Sequence, residues 1–269
     1  MADKVDLTNK LAIITGGANG LGSYAALSLA KYGADIVIGD VDSEGGGKVI
    51  AQVEAMGRRG LFVEMNALHT DQIEAMVQEA AATFGRIDIL VNNVGGVTKR
   101  NFMDSVEKSW RKHADLNFFS MLTATHAAVK VMKNGKRGGV IVNVSSVEGV
   151  RGAPGYAVYA ACKAGMISFT ATLAAELADD GIRTYALAPD VIRTEGIMKN
   201  SLGPVDCSRY VPLRRMGEPD EYGNLVAFLA SDMASYLTGI TIRVDGGSMA
   251  ISGFQRSEKA GGDWDLPLY

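Results

Sequence analysis

Tyr159 and Lys163 stand four residues apart in an Ala-rich segment that reads as a long helix, so both side chains fall on one face. A phenol beside an ammonium has its pKa drawn down from about 10, because the cation favours the phenolate. Such a tyrosine can exchange a proton near neutral pH, as a general acid or base must. Most pairs of this spacing are solvated helix surface, so the pair needs company before it means chemistry. The stretch before it brings a hydroxyl at Ser146 and charged groups at Glu148 and Arg151.

A second chemical feature lies near the N-terminus, in Thr15-Gly16-Gly-Ala-Asn19-Gly20-Leu21-Gly22. It follows a β-branched run, Leu11-Ala-Ile-Ile-Thr15, and opens a helix that Gly33 ends. Glycines let a backbone approach a pyrophosphate closely, and a helix N-terminus presents free N–H groups and partial positive charge. Asp40 ends the next predicted strand, 20 positions after Gly20, where a dinucleotide-binding unit places the acid that accepts ribose hydroxyls. That carboxylate repels a 2′-phosphate, and Gly17, Ala18 and Val41 offer no cation to offset it. NAD(H) is therefore expected over NADP(H).

Elements that could position these groups alternate along the whole chain. Strands are expected at 11–15, 35–39, 60–65, 87–91, 139–144, 182–187 and 239–244, separated by helices. Helices are expected at 43–56, with a first turn weakened by Gly45-Gly46-Gly47, and at 70–84 and 218–230. Asp104 and Glu107 have capping-box spacing at the head of a helix reaching about Met132. The alternation implies one α/β domain, a doubly wound sheet of about seven parallel strands with helices on both faces.

Composition narrows the partners. The chain of 269 residues has 47% hydrophobic content and a formal charge of −3, so a full core is available and nucleic acid is not an expected partner. The polar N-terminus and the absence of a long apolar run predict no membrane segment. Two cysteines, Cys162 and Cys207, fit a cytoplasmic setting, and the three scattered histidines offer no metal spacing.

These motifs in this order resemble the short-chain dehydrogenase/reductase family, over residues 7 to about 248. They are the glycine turn, Asn92-Asn93-Val94-Gly95, Asn117, Ser146, Tyr159 with Lys163, Pro189 with Thr194, and Thr238-Gly239 followed by Val244-Asp245-Gly246-Gly247. The resemblance implies a Rossmann-type domain over 1–253 with a substrate lid at about 195–216, and an extension over 254–269. It implies a catalytic tetrad of Asn117, Ser146, Tyr159 and Lys163, with Ser146, not Ser145, thirteen positions before the tyrosine. Tyr159 would move the proton, Ser146 would bond the substrate oxygen, Lys163 would bind the nicotinamide ribose, and Asn117 would hold a water through its carbonyl. The implied NAD(H) site comprises Gly16, Asn19, Gly20, Leu21, Gly22, Asp40, Asn66, Ala67, Asn93, Gly95, Tyr159, Lys163, Pro189, Ile192 and Thr194.

The expected reaction is hydride transfer between NAD(H) and a secondary alcohol or its ketone. A reductase of carrier-bound 3-oxoacyl groups shares the fold and tetrad but usually uses NADPH, and a non-catalytic NAD-sensing scaffold would lack Tyr159 or Lys163. Substrate contacts are expected from Ser146, Glu148, Arg151, Tyr156 and Tyr159, in a homotetramer or dimer. Four positions depart from the pattern: Val94, Asn66-Ala67, the Gly45–Gly47 run, and Asp190, where glycine is usual and a solvent-facing side chain is expected. The aromatic tail is expected to dock, over a neighbouring subunit's active-site mouth.

Overall fold

The computed structural model describes residues 4–200, 206–251, 253–257 and 261–265. Parts of the expected lid (201–205) and of the tail (258–260 and 266–269) lie outside them. Seven parallel strands form one sheet in the order β3-β2-β1-β4-β5-β6-β7. They are β1 (Leu11–Thr15), β2 (Asp35–Asp40), β3 (Gly60–Glu64), β4 (Ile89–Asn92), β5 (Gly139–Val144), β6 (Ile182–Pro189) and β7 (Ile240–Val244). Strands covered on both faces need apolar residues throughout, which is why β1 and β4 are buried at every position.

The two faces divide the core by strand parity. Ala12 and Ile14 of β1 pack into a cluster with α1 (Gly20–Lys31), α2 (Ser43–Ala55) and α8 (Pro219–Ala230). Leu11 and Ile13 point the other way, into a cluster with α3 (Thr70–Phe84) and α5 (Ser120–Gly135). Strand order reverses between β1 and β4, and the crevice outside the strands' carboxyl ends at such a switch point is where ligands bind in this architecture.

Four local expectations change. Asp104 and Glu107 do not form a cap: Phe102–Asp104 is a 3-10 turn, and α4 (Glu107–Ala114) starts after Val106. The Phe102 ring stacks on Trp110 at 5.1 Å, and the Trp110 indole N–H donates to Ser105 Oγ at 2.5 Å, which fixes the entry to the helix instead. Between α4 and α5 the helix opens into a π turn, Asp115–Phe119, with Asn117 at its centre. The glycine run in α2 is compensated by Asp42, whose side chain accepts from the Gly45 N–H at 2.9 Å. Finally, α6 (Ala157–Glu176) is long and apolar enough, by length and composition, to cross a membrane. Here it packs against β6 and carries the Tyr159–Lys163 pair.

Candidate active site

The glycine turn closes over the end of β1. Gly16 and Gly20 have φ of 68° and 55°, the left-handed region that glycine enters without strain. A Cβ at Gly22 would lie 2.2 Å from the Gly16 carbonyl oxygen and 2.5 Å from Asn93 Nδ2, so the third glycine is fixed by packing. Asn93 holds the turn from β4, its amide donating to the Gly16 and Thr15 carbonyls at 2.7 and 3.2 Å. A Cβ at Gly20, by contrast, would meet nothing within 4 Å, and no side chain caps α1. The turn thus presents open backbone and free helix N–H groups, a fit for the pyrophosphate of a dinucleotide. Asp40 stands beside it with its carboxylate held by the backbone N–H groups of Ala18 (3.0 Å) and Asp42 (3.1 Å).

The end of β5 and the start of α6 bring the second group together. Ser145 Oγ donates to the Lys163 carbonyl at 2.8 Å and so ties strand to helix, which leaves Ser146 as the serine with a free role. Ser146 is the N-cap of a short turn, Val147–Gly149, where its Oγ accepts from the Glu148 N–H at 3.3 Å. Gly149 lets that turn lie on α6, since a Cβ there would come within 2.7 Å of the Lys163 backbone. Lys163 is 3% exposed, and its ammonium donates to the Val144 carbonyl at 2.7 Å. Burial pulls its pKa down to about 8. Asn117 is fully buried in the π turn, where its amide accepts from the Gly96 N–H at 3.0 Å and donates to the Gly96 and His113 carbonyls. It thereby fixes the loop after β4, where a Cβ on Gly95 would meet Asn117 Oδ1 at 2.9 Å and Lys163 Nζ at 3.2 Å.

One cleft of about 520 Å³ joins the two groups. Of the expected residues, Gly16, Asn19, Gly20, Leu21, Asp40, Asn66, Ala67, Asn93, Gly95, Ser146, Tyr159, Lys163 and Pro189 line it. Gly22, Asn117, Ile192 and Thr194 are not part of its wall. Gly22 and Asn117 support it from behind, while Ile192 bridges Gly217 and Thr194 Oγ1 accepts from the Ile197 N–H, framing the entry to α7 (Glu195–Asn200). Tyr156 lies outside the cleft, in a small recess with Phe102 and Trp110. Apolar lining from Val41, Met65, Leu68, Val97 and Leu116 carried no signal in the sequence.

Two expectations about side chains are corrected. Tyr159 is not shifted down by Lys163: desolvation, with the Glu148 charge adding to it, raises its pKa despite the nearby Ser146 hydroxyl. The Lys163 ammonium is turned to Val144 and lies 5.6 Å from the phenol ring centroid. Asp190 does not face solvent; its side chain is 8% exposed, lines the cleft, and accepts from Ser248 Oγ at 2.5 Å. Burial raises its pKa, against the Ser248 bond and Arg151 at 3.9 Å. The Asn66 side-chain oxygen is taken by the Leu68 N–H at 3.0 Å. The described tail pairs with itself as β8 (Gln255–Arg256) and β9 (Trp264–Asp265), Arg256 lies over the Trp264 ring, and the Arg256 N–H donates to the Arg209 carbonyl of the same chain at 2.9 Å.

The chain is similar to known proteins in sequence and in fold. A family model described as enoyl-(acyl carrier protein) reductase matches residues 16–249. The 3-oxoacyl-[acyl-carrier-protein] reductase of Synechocystis sp. is 37% identical over 243 residues, 90% of this chain and 97% of that protein. That of Thermotoga maritima is 38% identical over 244 residues, 90% of this chain and 98% of the relative. Among solved structures, a short-chain type dehydrogenase/reductase from Mycobacterium marinum superposes with a TM-score of 0.85 at 30% identity, covering 91% of this chain and 98% of that one. A 7 alpha-hydroxysteroid dehydrogenase in complex with NADH and 7-oxo glycochenodeoxycholic acid gives a TM-score of 0.87 at 28% identity, covering 91% and 96%.

Proposed function

The chain belongs to the short-chain dehydrogenase/reductase family, and from that premise we propose that it reduces a carrier-bound 3-oxoacyl group with NADH. It is an oxidoreductase of the hydride-transfer type, and the observation that carries the reading is the single cleft joining an open glycine turn, Asp40, Ser146, Tyr159 and Lys163. The generic secondary alcohol was the first expectation from sequence. The carrier-bound ketone is better supported, because the two curated relatives above bear that activity in their names.

NAD(H), when bound, supplies or accepts the hydride, and the protein's residues do the rest. The open backbone at Gly20 and the N-terminus of α1 receive the pyrophosphate, and Asp40 receives the ribose hydroxyls. Tyr159 gives its proton to the ketone oxygen, and Ser146 bonds that oxygen where negative charge develops. Lys163 would bind the ribose hydroxyls and add positive charge there. Asn117 keeps the Gly95–Gly96 backbone in place through its amide. The segment at about 195–216 serves as substrate lid over the 1–253 domain, with 254–269 as an extension. Both cysteines are free, which supports a cytoplasmic site of action, and exposed Phe119 and Tyr236 offer contacts for a homotetramer or dimer.

The test is a panel of 3-oxoacyl thioesters and simple ketones with NADH or NADPH, followed at the nicotinamide band. Tyr159→Phe abolishes turnover while NADH still binds. Turnover of simple ketones alone would return the substrate to the generic class, and no turnover with any of them would favour the NAD-sensing scaffold.

A further inference from the structure

The two oxygens of the Asp190 carboxylate are treated differently by the fold. The side chain is 8% exposed and lines the cleft that also holds Ser146, Tyr159 and Lys163. The Asp190 N–H donates to the Val244 carbonyl at 3.1 Å, which fixes the residue beside β7. Oδ2 accepts from Ser248 Oγ. That serine is placed in turn by Asp245, whose carboxylate takes the N–H groups of Gly247 at 2.9 Å and Met249 at 3.0 Å. Oδ1 accepts from no described residue; the cation facing it, Arg151 Nη2, stands at 3.9 Å, beyond hydrogen-bond reach. Arg151 is held there by Glu148, whose Oε1 accepts from the same Nη2 at 2.9 Å while Oε2 hydrogen-bonds Ser146 Oγ. The guanidinium makes no other hydrogen bond among the described residues, and the Arg151 side chain is 39% exposed.

A buried carboxylate oxygen without a donor favours a ligand that brings one. An ammonium would meet the Arg151 charge beside the same oxygen. A hydroxyl suits both groups, because it donates one proton and accepts on two lone pairs. Set between them, it gives its proton to Asp190 Oδ1 and takes an N–H from Arg151. We propose that Asp190 and Arg151 form a hydroxyl-recognition subsite, so that the substrate is a ketone bearing a further hydroxyl group. The proposal goes beyond the carrier-bound reading and rests only on this cleft holding the reacting ketone. Asp190 determines specificity, and Ser248 is a positioning residue that occupies one oxygen and leaves the other for the ligand.

The test compares 2-, 3- and 4-hydroxycyclohexanone with the fluoroketones of the same pattern, each with NADH. Fluorine also withdraws electrons and is of similar size, but it cannot donate. The 4-, 5- and 6-hydroxy-3-oxohexanoyl thioesters are compared with their fluoro counterparts in the same way. Wild type should prefer the hydroxyl member by at least about tenfold in kcat/KM at one position or more, the scale of a hydrogen bond to a charged group. Asp190→Ala should bring that ratio near one, and Ser248→Ala should leave it in between. A merely structural role would lower both members of a pair alike and leave the ratio unmoved. A wild-type ratio near one at every position, no turnover of any hydroxyketone, or a preference that survives in Asp190→Ala would overturn the subsite, and the wild-type ratios do so whether or not the variant folds. A hydroxyl preference among the cyclohexanones with no thioester turned over would support the subsite and overturn the carrier-bound reading instead.

Discussion

Adding one methyl group at Gly22 should cost both stability and cofactor binding. Its Cβ would stand 2.2 Å from the Gly16 carbonyl oxygen and 2.5 Å from Asn93 Nδ2, so the turn and β4 must separate by roughly an ångström to reach ordinary contact. Overpacking of this kind costs about 1–3 kcal/mol. The displaced Asn93 amide also loses its bonds to the Gly16 and Thr15 carbonyls, worth about 1 kcal/mol net each. A total of about 3–5 kcal/mol corresponds to a fall in Tm of about 12 °C for a domain of this size. Because the shifted turn is the one offered to the pyrophosphate, the Kd for NADH should rise at least about tenfold, the equivalent of about 1.4 kcal/mol. Gly47→Ala is the control: its Cβ meets nothing within 4 Å inside α2, so it should raise stability by about 0.5–1 kcal/mol and leave NADH binding alone. Thermal melts and NADH fluorescence titrations read both effects. A Gly22→Ala protein that melts and binds like wild type would refute the packing argument.

Three further outcomes can be measured. Wild type should favour NADH over NADPH at least about tenfold in kcat/KM, and Asp40→Ser should erase most of that preference by removing about 1–2 kcal/mol of screened repulsion at the cleft rim. Lys163 has a folded pKa of about 8 against an ordinary 10.5, so the unfolded chain binds the extra proton between those values. Denaturant titrations should therefore show wild type gaining stability relative to Lys163→Met as pH rises from 8 to 10.5, and parallel curves would count against a buried ammonium. Asp190 has its pKa raised, so wild type should lose stability relative to Asp190→Asn as pH climbs above the ordinary carboxylate range. The same variant should bind oxidised NAD less well relative to NADH, and an unchanged ratio would remove the carboxylate from the nicotinamide end.

The strands, the glycine turn and Asp40 were legible because each rests on local pattern: β-branched runs, a glycine cluster between strand and helix, an acid at a strand end. Tyr159 and Lys163 stood out as a pair through their spacing, but Ser146 was singled out only by the family resemblance. Side-chain direction was not. Asp190 turns inward because Ser248, 58 residues further on, reaches its carboxylate, and no local rule carries that contact. Lys163 turns to a carbonyl of β5 instead of to the phenol, and burial of Tyr159 raises the pKa that the pair was expected to lower. The Asp104–Glu107 spacing lost to a ring stack between Phe102 and Trp110, a contact that a capping rule does not weigh. Glu148 was visible only as a charged residue near the pocket; its place behind Ser146 required coordinates.

The π turn at Asp115–Phe119 holds one residue more than a regular turn would. Deleting any one residue of it would let the helix from α4 into α5 close up as continuous α-helix, and local helical propensity would improve. The same deletion would leave the flanking helices in phase with one another and change only where the side chains of the turn itself point. Asn117, at the centre of the turn, would then lose the direction from which it meets both the N–H and the C=O of Gly96. An insertion that looks like a blemish in the helix therefore works as a local mount for Asn117, and stabilising designs that iron it out should yield a tougher protein with a slack active-site loop.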